Sequence, residues 1–300
     1  MLSLHTNSAA LSAQNSISRT QSQLSTSQTR LSTGFRVNSA MDDAAGLQIA
    51  TRLKAQTSGM AMAMRNTQNS ISLLQTAEGA FDEVTTMLTR MKDLATQAAD
   101  ASSTAKDQAA LQSEFDALGS ELNNIMKNST FGGAKLLEGG TIAASMQFQI
   151  GATGTEKMTI DLSTAMTGLV TGLTNVTARY AAGGAAVGAE ISDGTDGTAS
   201  ASNAAGQTAA NTSIDTINTA IDLVGGVRSS LGAAANRLDH VYNNLSNIST
   251  NTKAAAGRIM DTDFAAESSN MTSSQMLLQA GTAMLKQSNS MSSMVMSLLQ

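Results

Sequence analysis

Three hundred residues without a single proline leave the backbone free to run in long, uninterrupted helices. Average usage would put about fifteen prolines in a chain of this length. Each one inside a helix would remove a backbone hydrogen bond and clash with the preceding turn. Six Phe, two Tyr and no Trp argue further against a compact globule and for a mainly α chain built as an elongated coiled-coil rod.

The apolar residues carry the same message. Near the C-terminus Leu277, Met284, Met291 and Leu298 recur at intervals of seven, with Leu278, Leu285, Val295 and Leu299 beside them, and Lys286 is the only charge after Glu267. Leu4, Leu11, Ile17, Leu24 and Leu31 place a similar narrow stripe near the N-terminus. A sevenfold stripe needs a partner helix. A two-helix ribbon cannot cover both stripes, so these end seams are expected to be intersubunit surfaces. Of the first 41 residues, 22 are Ser, Thr, Asn or Gln, which compete for backbone hydrogen bonds or lose side-chain freedom in helices. Such a segment is expected to stay disordered until its stripe is covered.

Between the ends, Gly34 suits a helix stop, and Ser39 followed by Asp42 resembles a capping box that opens the next helix. From Leu47 through Phe81, Val84, Leu88, Met91 and Leu94 the coiled-coil spacing continues to about residue 100. Thr104 with Asp107 starts a third helix carrying Leu111, Phe115, Leu118, Leu122 and Ile125. Strand alternation occurs once, in MQFQI (146–150) and KMTIDL (157–162), which predicts one hairpin. Residues 163–209 read as a small irregular region of low complexity whose deletion should leave the core able to form. Three-and-four spacing resumes with Ile214, Ile217, Ile221 and Val224 and runs to Ile248. The expected organisation is therefore paired terminal helices over 1–41 and 255–300, a helical rod with a hairpin over 42–162 and 210–254, and a surface-exposed outer region over 163–209.

Several functions are excluded or left without support. With no Cys and only His5 and His240, a metal centre or thiolate chemistry has little to build on, and no cofactor is implied. His240 beside Asp239 lacks a nucleophile elbow. The DGTDG segment (193–197) lacks the spacing and distant Glu of a calcium loop, and reads as turns. A net charge of −5, with no acid before Asp42, leaves no nucleic-acid footprint. No run of eighteen apolar residues predicts membrane insertion. No Sec-type leader is expected at the N-terminus, although an Arg-containing, Ser-rich, acid-free start also fits a mitochondrial transit peptide. On composition alone, an intracellular coiled-coil scaffold or signalling module remains an alternative.

Longer motifs narrow the field. RLSTGFRVNSAMDDAAGLQIATRL (30–53), HTN near the start, TFGGAKLL (130–137), RIMDTDFAAESSNM (258–271) and the segment from QAGTAMLKQSN to SLL (279–299) resemble the terminal signatures of bacterial flagellin. Hook–filament junction proteins share them more weakly. Ser292 stands where flagellins often carry Pro, and Met41 where they often carry a basic residue. The resemblance implies a secreted subunit that polymerises with itself into a helical filament serving motility. It also implies an export chaperone, a filament cap and hook–filament junction proteins as partners. The stretch LTRMKDLATQ (88–97) is similar to the part of flagellins gripped by the flagellin-sensing Toll-like receptor of vertebrate hosts, with Arg90, Leu94, Gln97 and Glu114 at matching positions.

Overall fold

In a computed structural model of the chain, residues 7–177, 180, 189–192 and 203–298 are described, with the backbone alone at 203, 292, 293 and 295–298. The described fold is mainly α. Its helices are α1 (Ser8–Thr33), α2 (Ala44–Ala98), α3 (Ala105–Asn128), α4 (Ser163–Val176), α5 (Asn203–Met260) and α6 (Phe264–Leu298). Short strands β1 (Thr130–Phe131) and β2 (Ala134–Lys135) pair with each other, as do β3 (Ser145–Gln149) and β4 (Lys157–Asp161). Among the described residues no helix is long and apolar enough to cross a membrane.

The chain divides into two compact units, Met1–Ser58 with Ile248–Gln300, and Gly59–Asn247. In the first, α1 stops at Gly34, whose φ of 76° is left-handed and whose N–H reaches Arg30 O. The strand-like bridge between Phe35 and Asp261 follows, closed by Arg36 N to Met260 O and Thr262 N to Gly34 O. The Arg36 guanidinium adds a bond to Ile259 O. Backbone hydrogen bonds thus fasten the MDTD turn to the end of α1, and Asp263 Oδ1 caps α6 by accepting from the N–H groups of Ala265 and Ala266.

Ser39 and Asp42 do not open α2. Asp42 Oδ2 accepts from the N–H groups of Asn38 and Ser39, forming a separate turn, and the helix begins at Ala44 with Asp43 Oδ1 accepting from Gly46 N at 2.8 Å. A Cβ at Gly46 would run into the Asp43 carboxylate, which is why glycine suits the third helical position. The box at Thr104 and Asp107 forms as expected, with both reciprocal bonds present. The backbone N–H of Ser39 holds the Asp42 carboxyl below the usual carboxylate range, and the Thr104 hydroxyl does the same for Asp107. Because both folded-state values are depressed, the Asp42 turn and the Asp107 cap contribute fully above about pH 4 and are lost as pH falls through the lowered values. Replacing Asp107 with Asn should flatten the acid limb of helicity below about pH 4; an unchanged limb in circular dichroism would refute the assignment.

The second unit has one continuous core. Leu74, Phe81, Val84, Leu88, Met91 and Leu94 of α2 meet Phe115, Leu122 and Met126 of α3 and Ile217, Val224 and Leu231 of α5, each at most 1% exposed. The 3.6-residue repeat of each helix keeps such positions on one face. After α3, TFGGAKLL forms a second hairpin that alternation did not reveal, because its strands are two residues long. Gly132 and Gly133, with φ of 60° and 86°, make its turn, and Leu136 and Leu137 are fully buried beyond it. The predicted hairpin forms with Met146 opposite Ile160 and Phe148 opposite Met158.

The expectation of an irregular region beginning at Ser163 is corrected. Residues Ser163–Val176 form α4, and Met166, Leu169, Leu173 and Val176 are at most 1% exposed, spaced 3-4-3 toward the core. Small residues bring α4 close to α5: a Cβ at Gly172 would lie 2.8 Å from Leu223 Cδ1. Tyr180 is buried and donates to Glu138 Oε2 at 2.6 Å, and burial with that carboxylate pushes its phenol above the ordinary range. Buried Gln112 ties Ala189–Ser192 to α3: its Oε1 accepts from Ile191 N at 2.8 Å, while its Nε2 donates to Glu190 and Asp116. Ser213 Oγ on α5 donates to Glu190 O. The long helix α5 also begins earlier than expected, at Asn203.

Candidate assembly surface

Helices α1 and α6 pack antiparallel along most of their length. Asn7 Nδ2 bonds Ser288 Oγ at 3.2 Å near one end, Ile17 rests on Gly281, and Arg30 lies 3.7 Å from Glu267 near the other. A Cβ at Gly281 would come within 2.9 Å of Ile17 Cγ1, so glycine here sets how near the helices approach.

The covered face of α6 runs Glu267, Met271, Ser274, Leu278, Gly281, Leu285 and Ser288, an unbroken 4-3 repeat of buried and half-buried residues. Its partner face on α1 includes Ile17, Leu24 and Leu31, all half-buried. Leu11 lies off that face, 52% exposed. The heptad Leu277, Met284 and Met291 lies on a different side of α6, at 61%, 69% and 59% exposure, with Met276 beside it at 59%.

The two end seams therefore do not pair with each other as the spacing implied. Ile17, Leu24 and Leu31 of the N-terminal seam are covered by the inner stripe of α6, one position away from the heptad, and the outer stripe is left open. Val295 and Leu298 continue the outer heptad region along the α6 backbone, and Leu4 and Leu299 fall outside the described residues. The inner stripe is inconspicuous in sequence because serines, a glycine and a glutamate occupy four of its seven positions. Its regular 4-3 spacing was the available signal.

Helix α6 is thus amphipathic in neither usual sense: only Glu267 and Lys286 are charged along its 35 residues, and Glu267 is buried. Large exposed apolar patches are a common feature of contact surfaces.

On the second unit, Arg90 of α2 donates from Nε and Nη2 to Glu114 Oε1 of α3, at 3.0 and 2.6 Å. Both side chains are about half exposed, and Asp93 and Gln97 are exposed on the same helix as Arg90. Leu94 is not on this surface. At 1% exposure it belongs to the core beneath, so direct contact between Leu94 and a receptor is ruled out for the folded chain. Among the described residues no group of three His, Cys, Asp or Glu is arranged to hold a metal, and His240 is exposed on α5. The DGTDG segment lies outside the described residues.

The family profile "Bacterial flagellin N-terminal helical region" matches residues 4–141, and "Bacterial flagellin C-terminal helical region" matches residues 214–299. The chain belongs to the bacterial flagellin family. Flagellin A of Vibrio anguillarum is 34% identical with all of both chains covered, and a flagellin of Halalkalibacterium halodurans is 38% identical over 90% of each. A crystal structure of Bacillus cereus flagellin aligns with 64% of this chain and 94% of its own at 26% identity and a TM-score of 0.44. Flagellin is a structural protein, the subunit of the extracellular bacterial filament that serves motility, and this flagellin self-associates into that filament. The profiles cover α1 through β2 and most of α5 with α6, and so include both faces of the terminal helix pair.

Proposed function

We propose that the outer stripe of α6, centred on Leu277, Met284 and Met291, is the surface through which one flagellin subunit packs on the next. The observation that carries this reading is the exposure of these three side chains, each above one half, on a helix whose other stripe is already occupied by α1. In the assembled filament the paired α1 and α6 form the layer around the central channel. A subunit that adds head to tail without closing a ring builds an open helical array. The role is structural, with no catalytic step.

The same stripe needs cover before assembly, which an export chaperone supplies. The filament cap and hook–filament junction proteins meet the ends of the array. The polar, acid-free segment before Asp42 supports export of the chain unfolded, with roughly the first 30 residues as an uncleaved address. On the second unit, the exposed ion pair Arg90–Glu114 together with Gln97 supports a contact for the flagellin-sensing Toll-like receptor.

The assembly reading is tested by Leu277→Asp combined with Met284→Asp. Each change forfeits about 2 kcal/mol of burial at the subunit contact and adds the larger cost of an unpaired charge. In the free chain both positions are surface sites, where substitutions stay within about 0.5 kcal/mol. Thermal melting should barely move while seeded polymerisation, followed by sedimentation and electron microscopy, stops. Normal filament yield from the double variant would overturn the proposal.

A further inference from the structure

The chain holds 18 methionines, and among the described residues seven lie in the core of the second unit while others stand exposed on α6. Met60, Met87, Met91, Met126, Met146, Met158 and Met166 are at most 5% exposed in the second unit. Met276, Met284, Met291 and Met294 are between 59% and 69% exposed on α6, where the first three with Leu277 form the centre of the outer stripe and Met294 extends it. Apart from Leu277, the large side chains described on this stripe are therefore thioethers. Methionine fills an interface adaptably because it is unbranched and polarisable. It is also the one large apolar side chain that a mild oxidant converts into a polar one.

We propose that Met276, Met284 and Met291 form a reversible oxidation site that controls self-assembly, an inference that rests on the outer stripe being the subunit contact. The step needs only a peroxide. The Sδ lone pair attacks one oxygen of hydrogen peroxide, an S–O bond forms as the O–O bond breaks, and proton transfer releases water. Sulfur loses two electrons and the peroxide gains them, giving methionine sulfoxide. The polar S=O must then be desolvated when subunits pack, and it finds a surface built for apolar contact. Oxidation therefore acts on free subunits, whose stripe is open, and leaves assembled ones alone, because packing covers the same sulfurs. The buried methionines are shielded in both forms. Methionine sulfoxide reductases remove the oxygen and restore assembly.

The experiment uses the full chain, exposed to graded hydrogen peroxide either as monomer or as preformed filament, with peptide mass spectrometry and seeded polymerisation as readouts. In the monomer, sulfoxide should accumulate at Met276, Met284 and Met291 at least tenfold faster than at Met91 and Met126. The concentration needed for assembly should rise at least tenfold, and sulfoxide reductase treatment should reverse the rise. In filaments the three α6 sites should be protected at least tenfold. The variant M276L/M284L/M291L/M294L, which removes every α6 methionine described as exposed, should keep assembling after peroxide, whereas M41L/M62L, which removes two exposed methionines elsewhere, should lose assembly as the wild type does. Where the quadruple variant does not assemble even untreated, reductase rescue of the oxidised wild type decides the matter.

Normal seeding by fully oxidised monomer, or equal oxidation of the α6 sites in monomer and filament, would overturn the proposal. The two readings fail separately. If Leu277→Asp with Met284→Asp assembles normally, the contact itself is misplaced. If that variant is blocked while oxidised wild type assembles, only the oxidation site falls.

Discussion

Deleting residues 163–209 and joining Leu162 to Ala210 is expected to unfold much of the Gly59–Asn247 unit. Low complexity would have predicted the opposite, because loops over a surface contribute little burial. The segment instead supplies Met166, Leu169, Leu173, Val176, Tyr180 and Ile191 to the core, each at most 3% exposed. At roughly 1.5–3 kcal/mol per large buried side chain, their loss is on the order of 10 kcal/mol, which matches the whole stability of a typical domain. Compactness of the unfolded chain makes that figure an upper estimate. The deletion also exposes Leu223 on α5 beside Gly172 and leaves Gln112 without its bond to Ile191 N. Loss of the cooperative thermal transition, with rapid proteolysis between residues 59 and 247, is the expected result. A deletion that keeps Ser163–Ser192 should retain the transition. If the full deletion melts within a few degrees of the intact chain, α4 is not part of the core.

The second large effect separates two residues that the resemblance to flagellins placed in one receptor patch. Leu94→Ala should destabilise the second unit by about 2–5 kcal/mol through lost burial and the cavity left behind. For a unit of this size that lowers the melting temperature by about 10 °C. Arg90→Ala breaks an ion pair whose partners are half exposed, and such pairs contribute about 1 kcal/mol or less. Its melting should hardly change. Under the receptor proposal, Arg90→Ala lowers receptor activation at full stability, while Leu94→Ala acts only in proportion to the chain it unfolds. Melting curves and a receptor reporter assay on the same preparations distinguish the two. Full activation by Arg90→Ala would remove the patch from consideration, and a stable Leu94→Ala chain would show that the core beneath it is misassigned.

The sequence by itself determined where most helices lie. The absence of proline, the three-and-four spacing through Phe81 and Val224, the capping box at Thr104 and the stop at Gly34 all act over one or two turns, and local chemistry decides them. Alternation likewise marked Met146 and Ile160 as one hairpin face, and the terminal motifs pointed to flagellin. Tertiary structure alone decided which stripe of α6 is covered. Two neighbouring stripes on one helix share the same period and differ only by a rotation of about 100°, so spacing cannot choose between Leu277 and Leu278; α1 chooses by fitting Ile17 against Gly281. Tertiary contact also decided the fate of Ser163–Val176. Four large apolar residues among Gly and Thr look dilute in sequence, but a helix gathers them on one side and α5 comes close enough at Gly172 to bury them. For Leu94 the helical spacing had indicated burial, and only the packing of α2 in the second core settled that it could not also serve as a surface contact.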